Sequence, residues 1–474
     1  MSTAELIRHL KAGEGFNIPI LDGVCGSGKT QAVCKFIAGD VDGSGRGRSS
    51  QAARTIQELR ETAFGGLSLR RSHLISVPIR KLADQYKNQQ EFSKVRDWVI
   101  VIYSREDKPD GKSTVARLID TLNTLGGQGA VVVACHETVL SLPREFLQRT
   151  DQWAYWIDEC PGAVVFEAPQ INFTRQSLNE HLTIDGDGDY PRVVAKAPAR
   201  LRNMLEAPDA LAAPLHTFFR RVLSENRWIY TEREAWDRIV VRGDIKYNRK
   251  QIALNELPLI GVLHPETLRH FTVIGANIRD TLLGKWLVMN GCSLVCHPLT
   301  DRLRFTDYPE RDVMIFFALE KMRSSKYSMN PIMEEYERCV LRHYLKGVDR
   351  FALLANVGYQ GKLATARRAV LLPPTPHGLN DPIFMDCTTF VSTAAFNFRP
   401  PHERFLCAGL GFKLEDLALE GFQKFYQAAY RTNLRRFDSF APIKLVFPDW
   451  GTAAYIASLQ PGSRVEQLKS FKKN

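Results

Sequence analysis

The sequence predicts an α/β protein of two parallel-sheet lobes with an inserted accessory segment, and three observations predict it. From Phe16 to Glu159, short apolar runs alternate with stretches of helical period, the pattern of a parallel sheet covered by helices. From about 161 to 255 that rhythm gives way to mixed charged and aromatic sequence, broken by prolines between 190 and 215. Beyond 291 apolar runs and helical stretches alternate again.

The elements follow in order. Strands are expected at 16–22 (FNIPILD), 73–78 (HLISVP), 98–103 (WVIVIY), 129–135 (GAVVVAC) and 153–158 (WAYWID), with helices near 28–38, 51–62, 80–92, 113–125 and 139–149. The run 39–49, rich in Gly, Ser and Arg, has no periodicity and reads as a loop. Strand-like runs resume at 257–263 (LPLIGVL) and 271–277 (FTVIGAN), followed by a helix from Asp280 to Met289. VMIFFAL, RFALLAN, AVLLPP, TTFVSTAA and IKLVF supply the strands of a second lobe. The division expected is 1–290, carrying the insertion at about 161–255, and 291–474.

At 474 residues the chain has room for two or three domains of roughly 100–200 residues, each with its own core. A formal charge of +11 favours polyanionic partners, nucleic acid before anionic membrane. The opening residues lack the apolar core of a secretory signal, and no run of about 18 apolar residues offers a membrane span. The nine cysteines are odd in number and show no paired Cys-x-x-Cys spacing, which fits reduced thiols in a cytoplasm. Cys292, Cys296 and His297 lie together in GCSLVCHP, an apolar run that reads as buried strand.

Residues 23–30 read GVCGSGKT, a complete G-x-x-x-x-G-K-[ST] loop between a strand and a helix. Gly23, Gly26 and Gly28, with Ser27 among them, let backbone N–H groups converge on phosphate oxygens at the positive end of a helix. Lys29 adds a charge for the terminal phosphates, and Thr30 a hydroxyl for Mg²⁺. The apolar strand at 153–158 ends in Asp158 and Glu159, the two carboxylates such chemistry needs. Asp158 would reach the metal, and Glu159 would orient and deprotonate the attacking water.

With Asp158-Glu159-Cys160 about 130 residues after the loop, the chain resembles the DEAD-like superfamily 2 helicases, a group of P-loop NTPases. The resemblance implies RecA-like lobes, ATP as substrate, Mg²⁺ as cofactor and a nucleic acid as partner. Further segments keep the family's order. SVPIRKLADQ (76–85) looks like a backbone-contact motif, with Arg80 and Lys81 as phosphate contacts. ACHETVL (134–140) is similar to the next contact loop, with His136 and Thr138 in the expected region. Gly275-Ala276-Asn277 resembles the switch motif after the carboxylates, and PHGLN (376–380) a contact motif of the second lobe. FYQAAYRTNLRR (425–436) resembles the motif facing the nucleotide across the cleft, Gln427 and Arg431 having its spacing. The resemblance implies that Arg431, or Arg435 next to it, neutralises charge on the departing phosphate.

The chain departs from the family in four places: the last arginine of that motif falls one position late, the switch motif lacks hydroxyls, Asn380 stands where an acid is common, and a long segment separates Glu159 from Gly275. These departures bear on strand separation more than on ATP hydrolysis. They keep open a helicase-like replication initiator or nucleic-acid-binding ATP switch. A viral DNA-packaging ATPase shares the loop and the Asp-Glu strand, but the acidic nuclease cluster usual to that class is not evident after residue 300. A small-molecule kinase accounts poorly for the length and charge. DNA against RNA, direction of movement and oligomeric state stay open. The basic tail Lys469, Lys472 and Lys473 reads as a solvated terminus.

Overall fold

A computed structural model describes residues 15–42, 71–103, 113–168, 175–206, 216–244, 256–320, 331–373, 381–394, 396 and 398–471. The helix expected at 51–62, the loop residues 43–49, the motif PHGLN and Lys472 and Lys473 of the tail lie outside the described residues.

The first half lays down β1 (Asn17–Asp22), α1 (Lys29–Asp42), β2 (Ser72–Val77), α2 (Arg80–Lys87), β3 (Val99–Ile102), α3 (Thr114–Leu125), β4 (Val131–Cys135) and β5 (Trp153–Asp158). α1 continues through 39–42, which had been expected to begin a loop. The helix expected at 139–149 is instead one turn at His136–Val139 and a 3-10 turn at Arg144–Leu147, because Pro143 cannot continue a helix. α2 likewise stops at Lys87, short of the expected 92.

Next come β6 (Val164–Glu167), β7 (Leu182–Asp185), β8 (Arg192–Ala195), β9 (Arg227–Thr231) and β10 (Leu259–Leu263), then β11 (Phe271–Gly275), α4 (Leu282–Met289) and β12 (Ser293–Cys296). Seven strands form one parallel sheet in the order β12-β1-β11-β5-β2-β4-β3. All of β2 is buried, as a strand covered on both faces must be. α1 and α2 bring Val33, Ile37, Leu82, Ala83 and Tyr86 to one face. α3 and α4 bring Leu118, Leu122, Leu283 and Trp286 to the other. Ser113 caps α3, accepting from the Ala116 N–H at 3.1 Å.

The insertion is an antiparallel sheet, β6-β10-β9-β8-β7. It extends beyond the expected limit of 255, since the run at 257–263, read as a return to the lobe, supplies β10 between β6 and β9. β10 is buried throughout, Ile260 and Val262 against the first lobe's core and Leu259 against a separate cluster with Phe219 and Trp236.

The second half contributes β13 (Val313–Leu319), α5 (Pro331–Cys339), β14 (Phe351–Leu354), β15 (Ala369–Leu372), β16 (Thr389–Ser392), α6 (Leu414–Ala429), β17 (Ile443–Asp449), α7 (Trp450–Leu459) and β18 (Ser463–Gln467). Its six strands are parallel, in the order β15-β14-β16-β17-β13-β18. The protein is thus an α/β molecule with two parallel sheets and an inserted antiparallel one. The expected boundary at 290/291 shifts: β12 pairs with β1, so the first sheet runs to Cys296 and the second begins at Val313.

The halves are packed against each other. α6 sends Leu417 into the first core and Phe425, Ala428 and Ala429 into the second. Phe405 meets Tyr190 and Tyr230 of the insertion at ring distances of 5.0 and 5.7 Å. Beneath this contact, α4 lies against the turn after β11. A Cβ on Gly284 would stand 2.1 Å from the Ile278 carbonyl oxygen and 3.1 Å from the Arg279 Cα. Because backbone gives way poorly, Gly284→Ala is expected to cost about 3 kcal/mol and to lower the melting temperature in calorimetry; an unchanged transition would show that α4 slides freely.

Candidate active site

Three strand ends set the frame. Asp22 at the end of β1 is in register with Gly275 of β11, and Ile274 beside it with Asp158 of β5. The sheet therefore delivers the phosphate loop, the turn after β11 and the carboxylate pair to one edge, the carboxyl edge where α/β sheets bind ligands. In the loop, Gly26 and Gly28 adopt φ of 83° and 84°, the left-handed region that glycine occupies without strain. α1 starts at Lys29, and its first-turn N–H groups lack intrahelical acceptors.

Lys29 Nζ donates to the carbonyl oxygens of Gly23 and Val24, at 2.7 and 2.8 Å. Burial pushes its ammonium pKa down, opposed by Cys25, Glu159, Asp22 and Asp158 nearby. Asp158 is buried, and one carboxylate oxygen accepts from the hydroxyls of Tyr86 at 2.6 Å and Thr30 at 3.4 Å. Its pKa is raised to about 6, first by desolvation and then by the Glu159 charge, with the Tyr86 bond, Lys29 and Thr30 pulling it back. Asp22, also raised by burial, accepts from the Ile278 N–H at 3.2 Å.

Among the described residues, the non-glycine positions with positive φ are Glu159 (67°) and Asn277 (52°). Such backbone costs of order 1–3 kcal/mol and persists where surrounding structure imposes it. Here the Glu159 N–H donates to the Ile274 carbonyl at 2.8 Å, which fixes the turn and sets the Glu159 carboxylate beside Asp158.

The second half closes over this edge. Arg431 Nη2 lies 3.7 Å from Glu159 Oε1, with side chains 7% and 20% exposed, so the pair is largely shielded from water. Arg435 is within reach of Gly26: a Cβ on that glycine would be 3.3 Å from Arg435 Cγ and 3.0 Å from the Phe437 ring. Burial, then Arg431, lowers the Arg435 pKa to about 10. The phosphate loop is also held by its backbone. The Cys25 N–H donates to Tyr426 Oη at 2.9 Å, and Tyr308 Oη donates to the Cys25 carbonyl at 3.3 Å. The two phenols lie 2.5 Å apart, so Tyr426 donating to Tyr308 closes a ring of three hydrogen bonds. Across the turn after β11, Tyr455 Oη accepts from Asn277 at 3.3 Å and from Gln423, and donates to Asp280 at 3.3 Å.

The expected residues divide accordingly. Gly23, Gly26, Ser27, Gly28, Lys29, Thr30, Asp158, Glu159, Arg431 and Arg435 converge on one cleft. Gln427 is half-buried on α6, and among the described residues no hydrogen bond joins it to the loop or the carboxylates; Gln423, one turn earlier, reaches across the cleft through Tyr455. Arg80 and Lys81 are exposed at the start of α2, the Arg80 guanidinium 5.9 Å from the Tyr103 ring. His136 and Thr138 sit in the single turn after β4, where His136 Nδ1 is 2.7 Å from Ser76 Oγ at the end of β2. These four occupy the same sheet edge, toward β4.

Asp22, Tyr86, Tyr308, Gln423, Tyr426 and Tyr455 were not foreseen. Only Asp22 carried a signal, as the acid ending the strand before the loop. Cys296 is exposed, contrary to the buried strand expected, and burial presses the His297 imidazole pKa to about 4. Among the described residues, no three His, Cys, Asp or Glu side chains gather into a metal cage, and no helix is long and apolar enough to cross a membrane.

No family model matches the chain, and no curated protein matches it. Among solved structures, it is similar to one described as an XPD helicase at 11% identity and a TM-score of 0.42, covering 98% of each chain. It also matches the crystal structure of T4 UvsW at 10% identity and a TM-score of 0.18, over 89% of this chain and 72% of the other. Likenesses this distant carry no chemistry across, and the site speaks through its own residues.

Proposed function

We propose that the protein is an ATP hydrolase driven by nucleic acid, a motor of the superfamily 2 helicase type in which ATP closes two lobes on a bound strand. The observation that carries this reading is the convergence on one buried cleft of a complete phosphate loop, two adjacent carboxylates and two arginines from the other lobe. The donor set suits a magnesium nucleotide. Thr30 and Asp158 offer hard oxygens 3.4 Å apart, and Mg²⁺ takes one or two protein oxygens and completes its shell with phosphates and water. When bound there, the ion would neutralise phosphate charge and orient the leaving group.

The chain's own groups do the rest. Lys29 exchanges the Gly23 and Val24 carbonyls for phosphate oxygens. Glu159 accepts a proton from the attacking water. Arg431 turns from Glu159 toward the terminal phosphate, with Arg435 beside it, so hydrolysis depends on the lobes being together. The exposed Arg80 and Lys81, with His136 and Thr138, would hold the sugar-phosphate backbone of DNA or RNA without reading bases.

The test is ATPase activity with and without single-stranded DNA, single-stranded RNA and duplex, Lys29→Ala serving as the control for contaminating activity. A coupling of 1–3 kcal/mol between the sites predicts stimulation of about 5- to 150-fold by at least one polymer. Turnover indifferent to every polymer would overturn the motor. The ring of hydrogen bonds at Cys25, which closes the cleft through the loop backbone alone, favours a second reading, an ATP-dependent switch or initiator. Stimulated hydrolysis without separation of a partial duplex would select it.

A further inference from the structure

The shortest side-chain bond to Asp158 comes from a residue with no part in the chemistry above. Tyr86 Oη donates to Asp158 Oδ2 at 2.6 Å, and the same oxygen accepts from Thr30 at 3.4 Å. Tyr86 is fully buried in the last turn of α2, whose other buried residues, Leu82 and Ala83, seat the helix on the sheet. The same eight-residue helix begins with Arg80 and Lys81, both exposed. One short rigid element thus presents two cations to solvent at its start and a phenol to the carboxylate near its end, about 9 Å further along at 1.5 Å per residue.

We infer that Tyr86 is a positioning residue through which phosphates held by Arg80 and Lys81 set the orientation of the Asp158 carboxylate. The inference rests on the proposed ATP site and deepens it. A phenol hydroxyl cannot swing independently of its ring, and this ring is fully buried in the core cluster that also holds Val33, Ile37 and Ile75, so the donor moves only as α2 moves. A hydroxyl–carboxylate bond weakens steeply as its oxygens part from 2.6 Å toward about 3.5 Å, so a helix shift of under about 1 Å decides how strongly it is made. The Thr30 bond is longer and belongs to α1, which carries the phosphate loop. Asp158 is therefore shared between an element that senses nucleotide and one that senses polymer. His136 and Ser76, hydrogen bonded beside the ends of β4 and β2, brace the neighbouring contact turn.

The experiment uses the full chain and binding alone. A fluorescent, non-hydrolysable ATP analogue is titrated at graded Mg²⁺, with and without a saturating single-stranded oligonucleotide; oligonucleotide affinity is measured separately by anisotropy without nucleotide. The wild type is expected to bind the Mg²⁺ nucleotide about 5- to 150-fold more tightly when the oligonucleotide is present. Tyr86→Phe keeps the ring and should bring that factor below about twofold, each separate affinity staying within about threefold. A coupling factor in Tyr86→Phe equal to the wild type's overturns the inference. If Tyr86→Phe melts markedly lower, Asp84→Gly, an exposed position of α2, keeps hydroxyl and cations and softens the segment between them; it should reduce the factor, and an unchanged one also overturns the inference. Nucleotide binding by the wild type with no response to oligonucleotide overturns the coupling alone. Failure of the wild type to bind nucleotide at all defeats the proposed site and the inference with it.

Discussion

Replacing Arg431 with alanine is expected to slow ATP hydrolysis by on the order of 10³-fold or more, which is roughly 4 kcal/mol or more of transition-state stabilisation. ATP affinity should change by less than about tenfold, because an arginine that acts on developing charge contributes most after binding. Arg431 is largely buried and paired with Glu159 at 3.7 Å. A guanidinium carries five donors in a fixed fork, so it can pass from a carboxylate to a phosphate while remaining bonded throughout. Arg431→Lys should recover little, since an ammonium on a flexible stem does not reproduce the fork. Single-turnover hydrolysis measured beside analogue binding separates the two effects. Arg435 lies against Gly26 and has no ion-pair partner among the described residues, so Arg435→Ala should weaken binding more than it slows turnover. The opposite ranking would exchange the two roles, and near-normal turnover in both variants would remove the cleft as the hydrolytic site.

What could be foreseen follows from how local each signal is. The phosphate loop is one octet, and Asp158-Glu159 one dipeptide after an apolar strand, so composition and order locate both. Arg431 was singled out by the resemblance of a single segment to the family's cleft-facing motif. The tyrosines that bind these groups together were invisible for the opposite reason: Tyr86 acts on a residue 72 positions away, Tyr308 pairs with Tyr426 118 positions away, and Tyr426 holds a backbone amide 401 positions away. In sequence, a tyrosine in a helix, as Tyr86 and Tyr426 are, or in a connecting segment, as Tyr308 is, reads only as a core residue. β10 was assigned to the lobe because a strand buried on both faces looks the same in a parallel and an antiparallel sheet. β18, SRVEQ at the sheet's edge, has no fully buried residue and too little apolar content to register.

Glu159→Gln is expected to preserve ATP binding and to lower hydrolysis by about 10²- to 10⁴-fold, the range a general base supplies. The amide is nearly isosteric and leaves the Glu159 N–H bond to Ile274 untouched, so the strained turn at φ 67° should persist and the melting temperature change little. The charge, however, is gone. Arg431 then loses the charge of the Glu159 carboxylate while remaining shielded from water, and a buried cation with less negative charge beside it is costly. Nucleotide phosphate can relieve that cost, so the variant should bind ATP as tightly as the wild type or more tightly, and hold the lobes together longer. An arginine that merely stapled the lobes through Glu159 would give the reverse: loss of the pair would loosen the cleft and weaken ATP binding. Analogue affinity and single-turnover rate measured on Glu159→Gln, alone and combined with Arg431→Ala, distinguish the two. If Glu159 and Arg431 act on the same bound phosphate, the double variant binds ATP less tightly than Glu159→Gln; if the pair is only a staple, adding Arg431→Ala changes nothing further.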